Sequence, residues 1–259
     1  MDPQKIEETL NSYIHRQTFP VAVKMVRSPE EIPERARMPK RDMNIQMPVC
    51  QGIALARRYG WVVAMGLEDM LCPLGALTLG FLPTKEKFLD GSFDVPFWVK
   101  NQSIRAKISQ KIPQLDYGKY THLVVAPIHR AEFDPQVIVI YGNPAQISRL
   151  VQAATYETGD PLVSQNIGGL ACGEEITRTI LTDRCQFIVV GGGDRAIAQT
   201  QDHEVAFAIP MSKVDAVMEG LKATHKAGLK YPTPSFLLFK GSLPPDFAEL
   251  MDYLKEEGD

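Results

Sequence analysis

Several things that would have named a function at once are missing from this chain. No apolar run approaches the roughly 18 residues needed to cross a bilayer. The longest candidate, Leu71 to Leu82, is short and broken by Pro73, Gly75 and Gly80. The opening stretch MDPQKIEETLNSYIHRQ lacks a basic segment followed by an apolar one, so it does not read as a signal peptide. Charge is nearly balanced, at −3 over 259 residues, which gives no general reason to expect nucleic acid or membrane as a partner. Motifs with a known mechanism are absent as well. There is no Walker A loop, no G-x-G-x-x-G, no G-x-S-x-G elbow, no H-E-x-x-H and no C-x2-C pair. Cysteine is scarce, with four in the chain. The reading is a cytoplasmic protein whose cysteines are thiols or ligands rather than disulfides. A 44% apolar content is enough for an ordinary core without staples.

What is present is a repeated setting for two of those cysteines. Cys50 opens a helix-like stretch, CQGIALARRYG, that runs into the apolar strand Trp61 to Gly66 and then a turn bearing Cys72. Cys172 opens CGEEITRTILTD, which runs into Phe187 to Val190 and then the turn Gly191-Gly192-Gly193-Asp194-Arg195. Strand ends and helix starts are where α/β folds hold ligands, because free N–H groups and small residues gather there. If the two units pack together, Cys50, Cys72 and Cys172 meet at one site. Their Cβ atoms are then expected within about 8 Å of one another, as ligands of one small inorganic core.

Between these units the chain alternates strands and helices. Strands are expected at Pro20–Val26, His122–Pro127, Val137–Tyr141, Glu204–Ile209 and within Tyr231–Phe239. Helices are expected at Glu7–His15, Phe97–Ile112, Ala145–Tyr156, from a Ser212 cap through Leu221, and at Asp246–Lys255. Ser28–Met47, rich in proline and charge, reads as an irregular excursion. This pattern implies an α/β (or α+β) fold, a mixed sheet flanked by helices. The likeness of VIVIYGNPAQISRLVQA to VAFAIPMSKVDAVMEG, with the paired cysteine units, suggests two related halves, 1–115 and 116–259, packed together or merged in one compact domain.

PVAVKMV, the three cysteine segments, VIVIYGNPAQISRLVQAA, GGGDR and HEVAFAIP together make the chain resemble the domain of unknown function 169 family over nearly its whole length. The strand–NPAQ–helix block is the most specific piece. The resemblance implies a bacterial or archaeal protein, often from anaerobes, and brings no established activity. It implies cysteines at the positions of Cys50, Cys72 and Cys172, and a fourth in a C-x-G-x-R turn matching Gly191–Arg195. Here Gly191 stands at that fourth position and Cys185 lies six residues earlier.

Two functions follow. In one, Cys50, Cys72 and Cys172 are metal ligands, most simply of an iron–sulfur cluster with one open iron, with zinc or haem as alternatives. Gly191, Gly192 and Gly193 then form an anion nest with Arg195 as counter-charge, and Gly191 leaves that side of the site open to a small anionic molecule. In the other, the cysteines are small core residues and the chain is a metal-free carrier or accessory protein for an anionic ligand or a tetrapyrrole. On that reading the basic residues of the first quarter, Lys24 to Arg58, recruit the ligand. His122, His129 and His203 are further ligand candidates, and Met43 and Met47 are soft donors or packing. Glu174 and Glu175 are explained by the helix dipole. The GGGDR turn has a plain alternative as a bend between strands, and the oligomeric state, a homo-oligomer included, is left open.

Overall fold

The computed structural model describes residues 2–93, 99–233 and 244–255. Its centre is a six-stranded sheet built from β1 (Val21–Val26), β2 (Val63–Gly66), β3 (His122–Pro127), β4 (Val137–Gly142), β5 (Gln186–Ile188) and β6 (Val205–Pro210). They lie in the order β2-β3-β1-β4-β6-β5. Helices are α1 (Pro3–Ile14), α2 (Pro39–Met43), α3 (Val49–Tyr59), α4 (Pro73–Thr78), α5 (Glu86–Leu89), α6 (Gln102–Ser109), α7 (Pro144–Ala154), α8 (Thr179–Thr182), α9 (Gly192–Ile197), α10 (Val214–Lys226) and α11 (Pro245–Lys255). The expected α/β (or α+β) architecture is therefore present. All pairs among the six strands are antiparallel, and the parallel component is confined to the isolated bridges Arg37–Val63 and Met47–Met70.

Two-residue alternation sorts the strands onto two faces. Val139 and Tyr141 of β4 and Ala206 and Ala208 of β6 face one core, with α3, Cys172 and Ile176. Ile138, Ile140, Phe207 and Ile209 face the other, with Ile6, Leu10 and Ile14 of α1, Ile147 and Leu150 of α7 and Val217, Met218 and Leu221 of α10. On that second face α7 and α10 come unusually close: a Cβ on Gly220 would sit 2.3 Å from the Ala153 carbonyl oxygen.

Both sheet edges are covered, as exposed strand edges invite aggregation. Arg37 bonds to the β2 edge through Arg37 N–H to Val62 O and Ala64 N–H to Arg37 O, each at 2.9 Å. At the β5 edge, side chains do the work of a strand. Ser164 Oγ accepts from Phe187 N–H at 2.7 Å, and Asn166 accepts from Val189 N–H at 2.8 Å and donates to Phe187 O at 3.1 Å. Ser28–Met47, expected to be irregular, contains α2 and, through Arg37, supplies the cover of the β2 edge.

Several boundaries shift from expectation. The Cys172 helix is a π-helix, Gly173–Arg178, continuing into α8. GGGDR is the start of α9 rather than a bend between strands, with Gly191 at its N-cap. Lys213, not Ser212, precedes α10, because the Ser212 hydroxyl is committed to Asp183 Oδ1 at 2.5 Å. Of Phe97–Ile112, the helix runs from Gln102 to Ser109. Part of that expected helix, and most of the expected strand at Tyr231–Phe239, lie outside the described residues. The halves 1–115 and 116–259 share the one sheet, in which β1 sits between β3 and β4. About the β1–β4 pair the strand orders β2-β3-β1 and β4-β6-β5 mirror each other, which groups β3 with β1 and β2 rather than with 116–259.

Candidate functional site

Three chain segments bring the cysteines to the same face. Cys50 lies in the first turn of α3, Cys72 caps α4, and Cys172 caps the π-helix. The α4 helix is pinned to the π-helix by Thr177 Oγ1, which donates to Thr78 O at 3.0 Å. A Cβ on Gly75 would lie 3.1 Å from Val49 Cγ2 and 3.9 Å from Cys172 Sγ, so glycine lets α4 settle against both neighbouring segments. The α9 helix closes the group, packing on α3. Cys50 and Cys72 are half-buried, Cys172 is buried, and all are free thiols.

The thiols feel one another and two buried carboxyls. Burial, then the charges of Asp194, Cys72 and Glu175, push Cys50 up to about 12. Burial, followed by Asp194, Cys50, Cys72 and Glu175, raises Cys172 well above the ordinary thiol range. Glu175 is raised to about 8, chiefly by burial and by Asp194. Glu174 is raised to about 7 by burial, despite the 2.5 Å hydrogen bond it accepts from Ile167 N–H. Asp194 is also raised by burial, although the main-chain N–H groups of Gly191 and Asp194 donate to it. Burial thus disfavours the charged forms of Cys50, Cys172, Glu174, Glu175 and Asp194.

A buried arginine stands behind this set. Arg57, 1% exposed, donates to Glu204 Oε1 at 2.7 Å and to Oε2 at 3.0 Å, and its guanidinium lies 4.0 Å from the centre of the Tyr141 ring. Tyr141 Oη in turn donates to Glu175 Oε1 at 2.7 Å. Glu204 already neutralises Arg57, and Arg58 adds a 2.9 Å contact. The remaining oxygens of Glu174 and Glu175, both Oε2, are buried without a hydrogen-bond partner. A buried polar atom left unpaired costs about 1–3 kcal/mol, and each such atom in a folded protein asks for an explanation.

The donor chemistry suits a metal group, because a cation would let the thiols ionise and would satisfy the lone oxygens. Among the described residues, however, no group of three or more His, Cys, Asp or Glu side chains is placed to hold a metal ion. Zinc would need sulfur donors about 2.3 Å from one centre, whereas an iron–sulfur cluster spreads its thiolates over separate irons and so over a wider ring.

The other candidate residues separate clearly. Cys185 packs with the second face, across the sheet, at a cleft of about 760 Å³ also lined by Arg184 and Lys213, and burial pushes its thiol up to about 12. His129 Nδ1 pairs with Glu7 Oε2 at 2.7 Å beneath α1, His122 begins β3 with its pKa lowered by burial, and His203 is exposed. Met47 is core packing, and Met43 packs partly against the same core. Gly191 does not leave an opening. A Cβ there would lie 2.6 Å from the Gly168 carbonyl oxygen, so main chain already fills that direction. Gly192 and Gly193 are exposed, with nothing within 4 Å of a built Cβ. Arg195 is tied inward, donating to Gln201 O and, at 3.3 Å, to Glu204 O. In the first quarter Arg41 pairs with Asp42, Arg35 with Glu132, and Lys24 with Glu31.

Sequence reasoning passed over Glu175, Asp194, Tyr141 and Arg57. The signal for Glu175 was faint: an acid three residues after a cysteine is explained equally well by a helix dipole. Only the fold puts β4, α3 and the π-helix around one point.

The family model of the uncharacterised ArCR proteins, DUF169, matches residues 9–220. The chain belongs to that family. It is similar to an uncharacterized protein, MJ0308, of Methanocaldococcus jannaschii, at 27% identity over 205 residues, covering 78% of this chain and 86% of that protein. No solved structure matches the chain. Among the described residues no helix is long and apolar enough to cross a membrane.

Proposed function

We propose that this chain is a cysteine-ligated metalloprotein that carries an iron–sulfur cluster on Cys50, Cys72 and Cys172 and acts on a small anionic molecule. The observation that carries the reading is the convergence of three cysteines, from three separate segments, with the buried acids Glu175 and Asp194 on one sheet face. The group supplies redox or Lewis-acid chemistry when bound. The residues of the chain hold it, exclude water and offer oxygen atoms beside it. Anaerobic purification with iron and acid-labile sulfide analysis tests this. Iron and sulfide in comparable amounts, lost together when all three cysteines become alanine, is the expected result. A colourless protein with less than about a tenth of an equivalent of iron after reconstitution sinks it.

A second reading is favoured by the lack of a single-ion donor set among the described residues. In it the chain is a metal-free carrier or accessory protein for an anionic ligand, and the cysteines are core residues. The same triple substitution separates the two, since a carrier would lose some stability and keep its binding.

A further inference from the structure

We propose that α11 is an exchange arm: its apolar stripe docks in the cleft between α7, α8 and α10 of a second copy of this chain, whose own α11 returns the contact. The proposal stands apart from the metal reading, because the cleft lies across the sheet from Cys172.

The helix comes first. Pro245–Lys255 is amphipathic, with Phe247, Leu250, Met251 and Leu254 at positions i, i+3, i+4 and i+7 and therefore on one side. Among the described residues nothing covers that side. No residue of the helix is buried, and the four stripe residues are between 50% and 69% exposed. A stripe of this spacing left in water is the form in which a helix enters a groove on another surface. At 11 residues an isolated helix is also marginal in water, so a stable α11 needs a surface to lie on. At 3.6 residues per turn, Asp246 lies on one margin of the stripe and Lys255 on the other, while Glu249 and Asp252 are on the far side.

The cleft matches it in polarity and in charge. Its volume is about 760 Å³, and Ala154, Pro161, Leu162, Val163, Cys185 and Ala216 give it an apolar lining. Val163 is 68% exposed. The charges are sorted by wall. Arg184 and Lys213 stand beside β5 and α10, and Glu157 and Asp160 stand on the loop after α7. Among the described residues none of the four is in an ion pair. The remaining acid, Asp183, accepts from the Ser212 hydroxyl at 2.5 Å. A helix laid in the cleft sets Asp246 against Arg184 and Lys213, and Lys255 against Glu157 and Asp160. The contact that Lys255 now makes, to Asp252 at 3.8 Å, is exposed and costs little to exchange.

The occupant is a second copy because the structure leaves α11 free of its own body. Residues 227–244, which join it to α10, set an upper reach of about 60 Å. Exchange makes two identical contacts and closes on itself, so the assembly stops at a dimer.

The test is sedimentation velocity of the full chain over a range of concentrations, with circular dichroism to verify folding. Wild type, Leu250→Asp, Ala216→Glu and an equimolar mixture of the two variants are compared. A wild-type dimer is expected. Leu250→Asp spoils both helices of the dimer and should raise its dissociation constant about 100-fold or more, and Ala216→Glu, which puts a charge in both clefts, should do about the same. The mixture should recover dimers, since the intact helix of one variant meets the intact cleft of the other. Asp246→Lys and Lys213→Glu should each weaken the dimer about 5-fold, and the two together should restore it. A monomeric wild type overturns the proposal. A dimer that survives both Leu250→Asp and Ala216→Glu forms elsewhere and overturns it too. A dimer broken by Leu250→Asp alone overturns the cleft as the docking site, and a mixture that stays monomeric overturns the exchange. Should Ala216→Glu fail to fold, Lys213→Glu, at an exposed position, tests the cleft in its place.

Discussion

On one face of the sheet, α1, α7 and α10 lay Ile6, Leu10, Leu150 and Leu221 against Ile138, Ile140 and Phe207. On the other, α3 and the π-helix bring Arg57, Glu175 and Cys172 against Tyr141, Ala206 and Ala208. The same strands serve both faces, and their alternate residues differ in kind: Phe207 and Ile209 fill space, while Ala206 and Ala208 leave room for a wider helix. Helix starts differ too. Asp2 and Asn143 cap α1 and α7 with side-chain hydrogen bonds, though α10 on the same face has none, whereas α3, α4 and the π-helix all lack a side-chain cap. Both faces bury apolar area, and the first also buries Arg149 of α7 against Thr224 Oγ1 at 2.8 Å. The other places charged and reactive groups where water is scarce, an arrangement that stability alone does not favour.

The largest expected break in this contrast is at Arg57. Removing one partner of a buried ion pair leaves the other charge uncompensated, so Arg57→Ala should cost about 3–5 kcal/mol, eased by the Arg58 contact to Glu204. Chemical denaturation checks it, and a change under about 1 kcal/mol would mean that Arg58 carries the pair. On the apolar face, Leu150→Ala should cost a comparable or slightly smaller amount, about 2–5 kcal/mol. It should leave iron and sulfide uptake untouched, and a coloured wild type bleached by Leu150→Ala would show that the faces are not separable.

Next comes Gly191→Cys. It should destabilise by about 1–3 kcal/mol, because its Cβ meets the Gly168 main chain. It should not add a ligand, so retention of iron under air should match the wild type or fall below it. A tighter cluster in this variant would overturn the account of Gly191.

The smallest expected effect is on pH dependence, and its sign is opposite for the two kinds of acid. Glu175, raised to about 8, stays protonated in the folded chain where the unfolded chain has lost its proton. Its contribution is therefore fully present below the ordinary glutamate range and is lost as pH rises toward 8. Glu204 is lowered overall, burial being outweighed by Arg57, so its contribution is lost as the solution turns acid. In the metal-free protein, Glu175→Gln should flatten the decline in stability between pH 5 and 8. An unchanged slope would remove Glu175 as its source.

The apolar face was largely legible in the sequence. Period-two strands such as Val137–Tyr141 and the stripe of Val214, Val217, Met218 and Leu221 state their own geometry, because one side of each element must be dry. The helix start after Val137–Tyr141 was legible in the strand–NPAQ–helix block, and Asn143 proves to be its cap. The chemical face was half legible. Cysteines repeated in matching settings pointed to a shared site, but Arg57 looked like one more surface base in a crowded run. Its burial depends on Glu204, far away in sequence, and no local pattern encodes such a partner. The π-helix was unreadable for a related reason: Cys172–Asp183 has ordinary helical spacing, and only contacts with α4 and β4 decide how widely it is wound. Gly191 was misjudged because absence of a side chain was equated with open space, when another glycine pair occupies it.

The middle of the sheet has a consequence for how the chain is made. Val23 of β1 pairs with Val125 on one side and with Val137 on the other. The first of the six strands to be synthesised therefore has no neighbour until β3, nearly 100 residues later, has been made. Non-local pairing of this kind slows folding, and an unpaired apolar strand is exposed to misassociation in the meantime. Lys24, the one side chain of VAVKMV that is not buried, then has a second use. In the nascent chain it places a charge in the middle of the segment most prone to stick to another copy.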